Sequence, residues 1–595
     1  MKIIGKIILW AFAILGGLSF LFIAAVAAFT ASQRDKAPPM PDSAVLSLDW
    51  NEPLEERYVT APLFKPVQPA TVLDTLTALE RAAAAPQVKA LVVQLGAEPM
   101  EFARAQELAD AVRAFRESGK PAYAYADDLA AFGDATPEVM LAAAFDKVWM
   151  APSGIVGLTG VALEVPYFAE GLGDLGVTAE FEQRHEFKGG ADPFTEERMP
   201  LPVRRSLGAL AQGLLDQAVA AIAAGRDLEP AGVRALVDQG PLLGDEAVAA
   251  GLIDGLLYRD QFESEVEKEF GDDAQWIDAP FLLAASKEDR EGMTEPAAKV
   301  AVLYGIGPIG VGNADGPFAD PGFDTETLID TLQGIVEDGG YDAVLLRIDS
   351  PGGAYGPSDA VWHTVGRVRE AGIPVVVSMG GTAASGGYFV SVASDRIVAQ
   401  PGTITGSVGV YGGKFDVSRL WEDLGVRWDR VAAGENAGMW SINRGFDREE
   451  RARFARAIDF VYADFTTKVA QGRGFDAATL DQVARGRIFT GQDALDVGLV
   501  DRLGGYPAAL AELRDLMQIA PEDEIELEVL PKPKAPWQAL LDAAQSGDFT
   551  LGAATLVADA VEGRIVTRLE SALGDLDRIA APQGLVSAPP VRLAR

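Results

Sequence analysis

Asp342–Gly353 reads DAVLLRIDSPGG, an apolar run that ends in an acidic residue, a proline and two glycines. Lys89–Gly96 reads KALVVQLG, and the two stretches begin 253 residues apart. The same spacing separates Gly119-Lys120-Pro121 from Gly372-Ile373-Pro374. Because unrelated strands and turns do not recur at a fixed spacing, the pattern predicts that one structural unit occurs twice in the chain.

The repeat extends in both directions from this stretch. Ala44-Val45-Leu46 and Ala301-Val302-Leu303 are 257 residues apart, and GLID at 251–254 and GLVD at 498–501 are 247 apart. Within each half, short β-branched runs alternate with longer stretches of helical periodicity, such as Arg451 to Lys468. Such alternation is typical of a parallel sheet with crossover helices. The sequence therefore predicts an α/β fold that is a tandem duplication.

Composition changes along the chain place the boundaries of these units. A proline-rich stretch, APPMPDS, occupies 37–43, the charged run KEDREGMTE occupies 287–295, and three prolines lie at 531, 533 and 536. The predicted organisation is a membrane anchor at 1–36, a spacer at 37–43, α/β domains at 44–286 and 299–520, a linker at 287–298 and a C-terminal extension at 521–595.

The first residues of the chain predict a membrane-spanning segment. An uncharged run extends from Ile7 to Thr30 and is preceded by Lys2 and Lys6. A helix needs about 20 apolar residues to cross a bilayer, whereas the apolar part of a cleaved signal peptide has about 7 to 15. We therefore expect an uncleaved anchor with a translocated, outward-facing body. A cleaved signal peptide is the alternative, because Ala25-Val26-Ala27 would suit a signal peptidase.

Charge and scarce residue types exclude several functions. The chain has 51 basic and 87 acidic residues, so its net charge of −36 argues against a nucleic-acid partner. It contains no cysteine, which excludes a thiolate nucleophile and Cys-ligated zinc. Its two histidines, His185 and His363, belong to no H-E-x-x-H motif, and both are interpreted as structural. Neither a metal nor another cofactor is predicted.

The candidate chemistry lies where the two halves differ. Ser407, in the motif TGSVG, aligns with Leu158 of the first half, and Lys188, in EFKGGADPF, aligns with Ala437 of the second. Each half therefore supplies a group that its counterpart lacks. A serine hydroxyl needs a neighbouring base, and a lysine can be that base if burial keeps its amine neutral. We predict Ser407 as the nucleophile and Lys188 as the general base.

An oxyanion hole is predicted from the glycines that follow DSP. Gly352 and Gly353 can present backbone N–H groups without a side chain in the way, and Gly353 is the predicted donor. The second predicted donor is the N–H of Val408, next to Ser407. Ser385, in AASGGY, is the strongest rival hydroxyl. Its motif is not G-x-S-x-G, however, and the glycines are interpreted as allowing close helix packing.

Three stretches together resemble a known family. IDSPGG at 348–353, FKGGADPF at 187–194, and the run from VVVSMGG to SVGVYG at 375–412 are similar to long, two-domain bacterial signal peptide peptidase A, also called protease IV. The resemblance implies a fold like that of Clp protease and the crotonases, with the site residues at Ser407, Lys188, Gly352 and Gly353. It also implies a bowl-shaped homotetramer at the inner membrane, facing the periplasm, that degrades signal peptides left after secretion.

Two other functions remain open from the sequence. A crotonase-like acyl-CoA enzyme would use similar backbone N–H groups, although it would need neither an anchor nor a serine and lysine divided between halves. A non-catalytic membrane scaffold descended from the peptidase is the second alternative, and it would be expected to lose Ser407 or Lys188. Both residues are present.

Overall fold

The structure is a computed structural model, and it describes most of the two predicted α/β domains. The described residues are 39–51, 54–57, 70–96, 99–129, 133–271, 274–288, 296–310, 323–521 and 523–532, with the backbone alone at 586–587 and 592–593. The predicted anchor at 1–36 lies outside the described residues, as does most of the predicted extension at 521–595.

The first half forms a six-stranded sheet in which all neighbouring strands are parallel. Its strands in spatial order are Gln275–Ile277, Ala44–Trp50, Val88–Leu95, Ala122–Ala126, Lys147–Met150 and Gly255–Leu256. Its helices are Val72–Ala84, Phe102–Glu117, Thr136–Ala142, Ala169–Asp174, Asp192–Thr195, Leu201–Arg226, Pro230–Gln239, Gly244–Ala249, Arg259–Phe270 and Ala279–Glu288. Thr71 and Asp74 form a capping box at the start of the first of these helices.

The second half repeats this strand order. The corresponding strands are Ile525–Val529, Ala298–Ile306, Ala343–Ser350, Val375–Ala384, Arg396–Ala399 and Arg502–Leu503. Two strands are added: Ile404–Gly406 pairs with Val375–Ala384, and Ile488–Thr490 runs antiparallel to Ile404–Gly406. Its helices are Thr325–Asp338, Tyr355–Glu370, Gly386–Ser391, Ser418–Asp423, Arg448–Arg473, Ala477–Val483, Gly491–Asp496 and Tyr506–Met517. The matching order of the two sheets confirms the predicted tandem duplication with parallel sheets and crossover helices.

One strand differs in length between the copies. Val375–Ala384 has ten residues, whereas the corresponding Ala122–Ala126 has five. The extra residues continue to Ser385, where the helix Gly386–Ser391 begins. The second half therefore carries a strand-to-helix junction that projects beyond the position where the first-half strand ends.

An antiparallel pair joins the two halves. Thr178–Gln183 of the first half pairs with Tyr411–Asp416 of the second along its whole length. The other short pairs are Ile155–Val156 with Leu242–Leu243, Leu163–Glu164 with Arg592–Leu593, and Gly352–Gly353 with Val586–Ser587. The pair between the halves holds the loop that follows Thr178–Gln183 against the second sheet, and this loop contains Lys188.

Among the described residues, one helix, Leu201–Arg226, is long and apolar enough to cross a bilayer. Its buried residues recur at helical spacing and include Leu207, Leu210 and Leu214. The helix packs on Thr136–Ala142 and Ile488–Thr490. Its apolar face therefore has partners within the protein.

Candidate active site

Lys188 enters the site on a loop that the second half holds in place. Directly before the loop, the N–H of Arg184 donates to the carbonyl oxygen of Val410 at 3.0 Å. Within the loop, Glu186 forms an ion pair with Arg485 at 2.9 Å, and the guanidinium of Arg487 lies 4.3 Å from the ring centre of Phe187. The residues that precede this first-half lysine are thus held by partners in the second half.

Two glycines of the second half pack against Lys188. A Cβ on Gly486 would lie 2.5 Å from the backbone N of Lys188, and one on Gly409 would lie 3.1 Å from its Cδ. Gly486 also has a φ of +82°, in the region that favours glycine. These close contacts exclude water from the lysine stem, and Lys188 is fully buried.

The Lys188 amine lies between two serines. Its Nζ is 2.7 Å from Ser385 Oγ, 3.0 Å from Ser407 Oγ and 2.9 Å from the carbonyl oxygen of Ser407. The structure therefore brings the predicted pair, Lys188 and Ser407, together. It also places at the amine a second hydroxyl, that of Ser385, whose sequence motif predicts close packing instead.

Burial determines the ionisation of this amine. It lowers the pKa of Lys188 well below its usual value, because transfer out of water disfavours the charged form. A neutral amine has two N–H donors and one lone pair. With three oxygen atoms in range, it can donate to two of them and accept a proton from the third. A hydroxyl that donates to the lone pair is positioned to lose its proton to Lys188.

Ser385 has an unusual backbone conformation at the strand-to-helix junction. Its φ is +55° and its ψ is −115°, outside the regions that a residue with a side chain ordinarily adopts. Its N–H donates to the carbonyl oxygen of Gly406 at 2.8 Å, which ties the junction to the neighbouring strand. Strained turns of this kind hold the nucleophilic serine in α/β-hydrolases, where a strand passes directly into a helix.

Ser407 has a different setting. It follows the strand Ile404–Gly406, also with a positive φ of +53°, and its N–H donates to the carbonyl oxygen of Arg487 at 2.6 Å. Its side chain is fully buried. Both its hydroxyl and its carbonyl oxygen contact Lys188 Nζ, so Ser407 can orient the amine from two directions.

The two predicted oxyanion donors, the N–H groups of Gly353 and Val408, lie beside different serines. A Cβ on Gly386, the residue after Ser385, would lie 3.0 Å from the backbone N of Gly353, and one on Gly352 would lie 2.8 Å from Ser385 Cβ. Gly353 is therefore beside Ser385. Val408 follows Ser407, is buried, and accepts a hydrogen bond from the N–H of Gly486 through its carbonyl oxygen.

The hydrogen-bonding partners of Lys188 Nζ are the two serines, and neither histidine is among them in the described part of the chain. The ring of His185 packs against Tyr462, with the ring centres 4.7 Å apart. His363 lies on the helix Tyr355–Glu370. The amine of Lys188 and the hydroxyls of the two serines are the chemical groups that a serine hydrolase with a lysine base requires.

Comparison with known proteins identifies the family. The model for Peptidase family S49 matches residues 114–271 and 367–520, more than half of the chain. The chain belongs to this family. The two matches correspond to the two copies of the α/β fold.

Curated relatives extend the similarity over most of the chain. It is 30% identical to "Protease 4" of Salmonella typhi over 69% of its own length and 66% of that protein, just under two thirds. It is 25% identical to "Serine protease SPPA, chloroplastic" of Arabidopsis thaliana over 76% of its length and 67% of that protein. Among solved structures, a ClpP1 variant from Listeria monocytogenes matches 35% of the chain and 94% of its own, at 16% identity and a TM-score of 0.23.

Proposed function

We propose that this chain is a membrane-anchored serine endopeptidase in which Lys188 is the general base. The observation that carries the proposal is the buried amine of Lys188, which lies within 3.0 Å of two serine hydroxyls. The amine belongs to the first half of the chain, and both serines belong to the second. Membership of Peptidase family S49 and the similarity to proteins named as proteases support it.

The geometry favours Ser385 as the nucleophile, whereas the sequence motifs alone favour Ser407. The shorter distance to the amine, 2.7 Å, is to Ser385. Ser385 also lies at the strained junction and beside Gly353, whereas Ser407 contacts the amine through its carbonyl oxygen as well as its hydroxyl. We assign Ser407 the role of a positioning residue that orients the Lys188 lone pair toward Ser385.

The proposed reaction is an acyl transfer in two stages. Ser385 Oγ attacks the peptide carbonyl carbon while its proton passes to Lys188 Nζ, and the carbonyl oxygen becomes an oxyanion. The backbone N–H groups of Gly353 and Gly386 donate to that oxyanion. Lys188 then gives its proton to the departing amine as the carbon–nitrogen bond breaks. Water hydrolyses the acyl-serine, with Lys188 again as the base.

The oxyanion assignment separates the two serines further. With Ser385 as nucleophile, the second donor is the N–H of the following residue, Gly386. Val408 would be the corresponding donor if Ser407 were the nucleophile. Gly353 serves either assignment in principle, but its proximity to Gly386 supports the first.

The expected substrates and location follow from the family resemblance. We propose that the chain degrades signal peptides and other extended apolar peptides, bound by strand addition. We further propose that residues 1–36 anchor it in a bacterial inner membrane with the body in the periplasm, and that it assembles as a homotetramer. Light scattering of the detergent-solubilised full chain would measure the assembly, with a monomer contradicting it.

A covalent labelling experiment tests the mechanism and chooses between the serines. The full chain is treated with a serine-directed fluorophosphonate, and the modified residue is identified by peptide mass mapping. We expect label on Ser385, no label in Ser385→Ala or Lys188→Met, and slower but detectable labelling in Ser407→Ala. Cleavage of a fluorogenic, leader-like peptide should follow the same order.

Each contrary result has a distinct meaning. Label on Ser407, with full labelling of Ser385→Ala, would restore the sequence-based assignment and make Val408 the second donor. Absence of both labelling and cleavage in the unmodified chain would contradict the peptidase proposal and favour the scaffold or the acyl-CoA enzyme. Retention of the chain on immobilised acyl-CoA would then distinguish these two.

A further inference from the structure

The first half contains a counterpart of the oxyanion donor proposed for the second half. The helices Phe102–Glu117 and Tyr355–Glu370 begin and end 253 residues apart. The same spacing places Met100 opposite Gly353, and each of these residues lies two positions before its helix begins. The backbone N–H of Met100 therefore occupies, in the first half, the position that the N–H of Gly353 has in the second.

The N–H of Met100 donates to a side chain of its own half. Its acceptor is Glu138 Oε1, at 2.5 Å. Glu138 lies on the helix Thr136–Ala142, which ends 249 residues before its second-half counterpart, Gly386–Ser391. At this spacing Glu138 aligns with Gly387, so the carboxyl group is present in one copy only. A carboxyl oxygen thus accepts the N–H whose counterpart is proposed to hold the substrate oxyanion.

The Glu138 side chain is buried without a counter-charge. Its exposed fraction is 4%, and its Oε2 atom has no hydrogen-bond partner among the described residues. Burial raises the pKa of Glu138 to about 7, although the N–H groups of Glu138 itself and of Met100 act in the opposite direction, and no cation of the described residues contributes. Both the ionised and the protonated group keep an oxygen that accepts an N–H. Because a buried carboxyl group is unfavourable without hydrogen bonds, the Met100 N–H is the contact that fixes this side chain.

The first-half copy lacks other parts of the proposed catalytic arrangement. Pro137 aligns with Gly386, and a proline has no N–H that could act as the second oxyanion donor. Thr136 aligns with Ser385, but its hydroxyl donates to Asp134 Oδ1 at 2.6 Å. The first half therefore retains one oxygen-binding N–H without the second donor and the available hydroxyl that would act on a bound carbonyl.

We propose that the first half retains a binding site for the oxygen of a carboxyl or amide group, and that Glu138 is the resident ligand of this site. The N–H of Met100 binds the oxygen, and the Glu138 side chain fills the space beside it. Once the Glu138 carboxyl group is removed, the site would take a small carboxylate or a small amide. By filling the site, Glu138 keeps peptide carbonyl groups away from the first half. The comparison with an oxyanion site rests on the proposed peptidase function, whereas the occupation of the site by Glu138 does not.

Hydrogen–deuterium exchange of the full chain tests the site without catalysis. Overlapping peptides that end on either side of Met100 report the exchange of its amide. Glu138→Ala removes the acceptor, and the second half shows that the corresponding helix forms with glycine at this position. We expect the Met100 amide to exchange about tenfold faster in Glu138→Ala than in the unmodified chain, because one hydrogen bond is lost. Glu138→Gln is the matched control, since its amide oxygen can accept the same N–H, and its exchange should stay within about threefold of the unmodified chain.

Acetate and acetamide test the ligand class, with sodium chloride at equal ionic strength as the reference. We expect either compound to slow exchange of the Met100 amide in Glu138→Ala, and neither to change it in the unmodified chain or in Glu138→Gln, where the site is filled.

Three results would overturn the proposal whether or not the chain cleaves peptides. The first is an unprotected Met100 amide in the unmodified chain, which needs no variant to be observed. The second is equal exchange in Glu138→Ala and the unmodified chain, and the third is fast exchange in Glu138→Ala that neither compound slows. The expected exchange pattern in a chain without peptidase activity would leave the Glu138 assignment intact and contradict the proposed function instead.

Discussion

Lys188 and Arg347 are both buried cationic residues, but their surroundings give them opposite ionisation behaviour. Their exposed fractions are 0% and 1%. The hydrogen-bonding neighbours of Lys188 Nζ are neutral serine atoms, whereas Arg347 forms ion pairs with Glu107 at 2.7 Å and Glu56 at 2.8 Å. Burial without a counter-charge favours the neutral form of a base, and burial beside carboxylates favours the charged form.

The pKa shifts follow this difference. Burial alone lowers the pKa of Lys188. Burial acts in the same direction on Arg347, but Glu107 and Glu56 outweigh it and raise its pKa. Burial raises the pKa of Glu56, but Arg347 and Arg104 outweigh it and lower that pKa to about 2. Arg347 therefore serves as a permanent charge that joins the halves, and Lys188 as an amine that can accept a proton.

The largest expected effect is on catalysis, and it is expected from replacing Lys188. Lys188→Met should lower kcat/KM for a leader-like peptide by about 10⁴-fold, because the hydroxyl loses its base. Lys120→Met is the matched control, since Lys120 Nζ donates to the backbone carbonyl oxygens of Ala82, Ala83 and Ala85, away from the serines. Comparable losses in both variants would show that the defect lies in the fold.

The next largest effect concerns the contribution of Arg347 to the stability of the fold. Arg347→Met should lower the free energy of unfolding by about 3–5 kcal/mol, because it removes the cation paired with the buried Glu107 carboxylate and leaves buried Glu56 paired with Arg104 alone. Urea unfolding measures the change. Arg369→Met, which breaks the partly exposed ion pair with Asp395, should cost no more than about 1 kcal/mol. Similar costs for the two variants would contradict the structural role of Arg347.

A third prediction uses the pH dependence of stability to test whether the amine of Lys188 is neutral in the folded chain. With a lowered pKa in the folded state, Lys188 binds fewer protons there than in the unfolded chain, whose lysines titrate near pH 10.4. The unmodified chain should therefore gain stability relative to Lys188→Met as pH rises between the folded and unfolded pKa values, by up to about 1.4 kcal/mol per pH unit. Parallel stability curves would show that the amine remains charged when folded.

The smallest effect on kcat/KM is expected from replacing Glu186, in the loop that contains Lys188. Glu186 and Arg485 are 38% and 31% exposed, so water weakens their ion pair. Glu186→Gln should lower kcat/KM by no more than about fivefold, and added salt should reduce the difference. Glu263→Gln, in the exposed pair with Arg259, should have no effect on kcat/KM. A loss as large as that of Lys188→Met would mean that Glu186 has a direct role.

The sequence predicted the features that repeat along the chain. The recurrence of KALVVQLG as DAVLLRID indicated two copies of one fold, because a buried parallel strand leaves a continuous apolar run. Comparison of the copies also led to Lys188, which has no counterpart in the second half. The proximity of Lys188 to Ser407 agrees with the prediction that the halves supply complementary groups, while their catalytic roles remain a proposal.

The position of Ser385 at the amine could not be recognised from its local pattern. AASGGY explains close packing, and a Cβ on Gly387 would indeed lie 2.7 Å from the carbonyl oxygen of Ser350. The contact between Ser385 and Lys188 joins residues 197 positions apart, and no local pattern reports it. A possible signal was the long second-half strand that passes directly into a helix at a serine. The pairing of Val586–Ser587 and Arg592–Leu593 with the two halves had no periodic signal, because each of these strands has two residues.

The division of the site between halves also has a consequence for biosynthesis. A ribosome completes the domain that contains Lys188 well before it reaches Ser385, and domains generally fold as units in the order of their synthesis. If these residues act together as proposed, the nascent first domain has a base but no nucleophile. Hydrolytic competence would then arise only after the second domain has folded and docked, so an unfinished chain could not digest its neighbours during export.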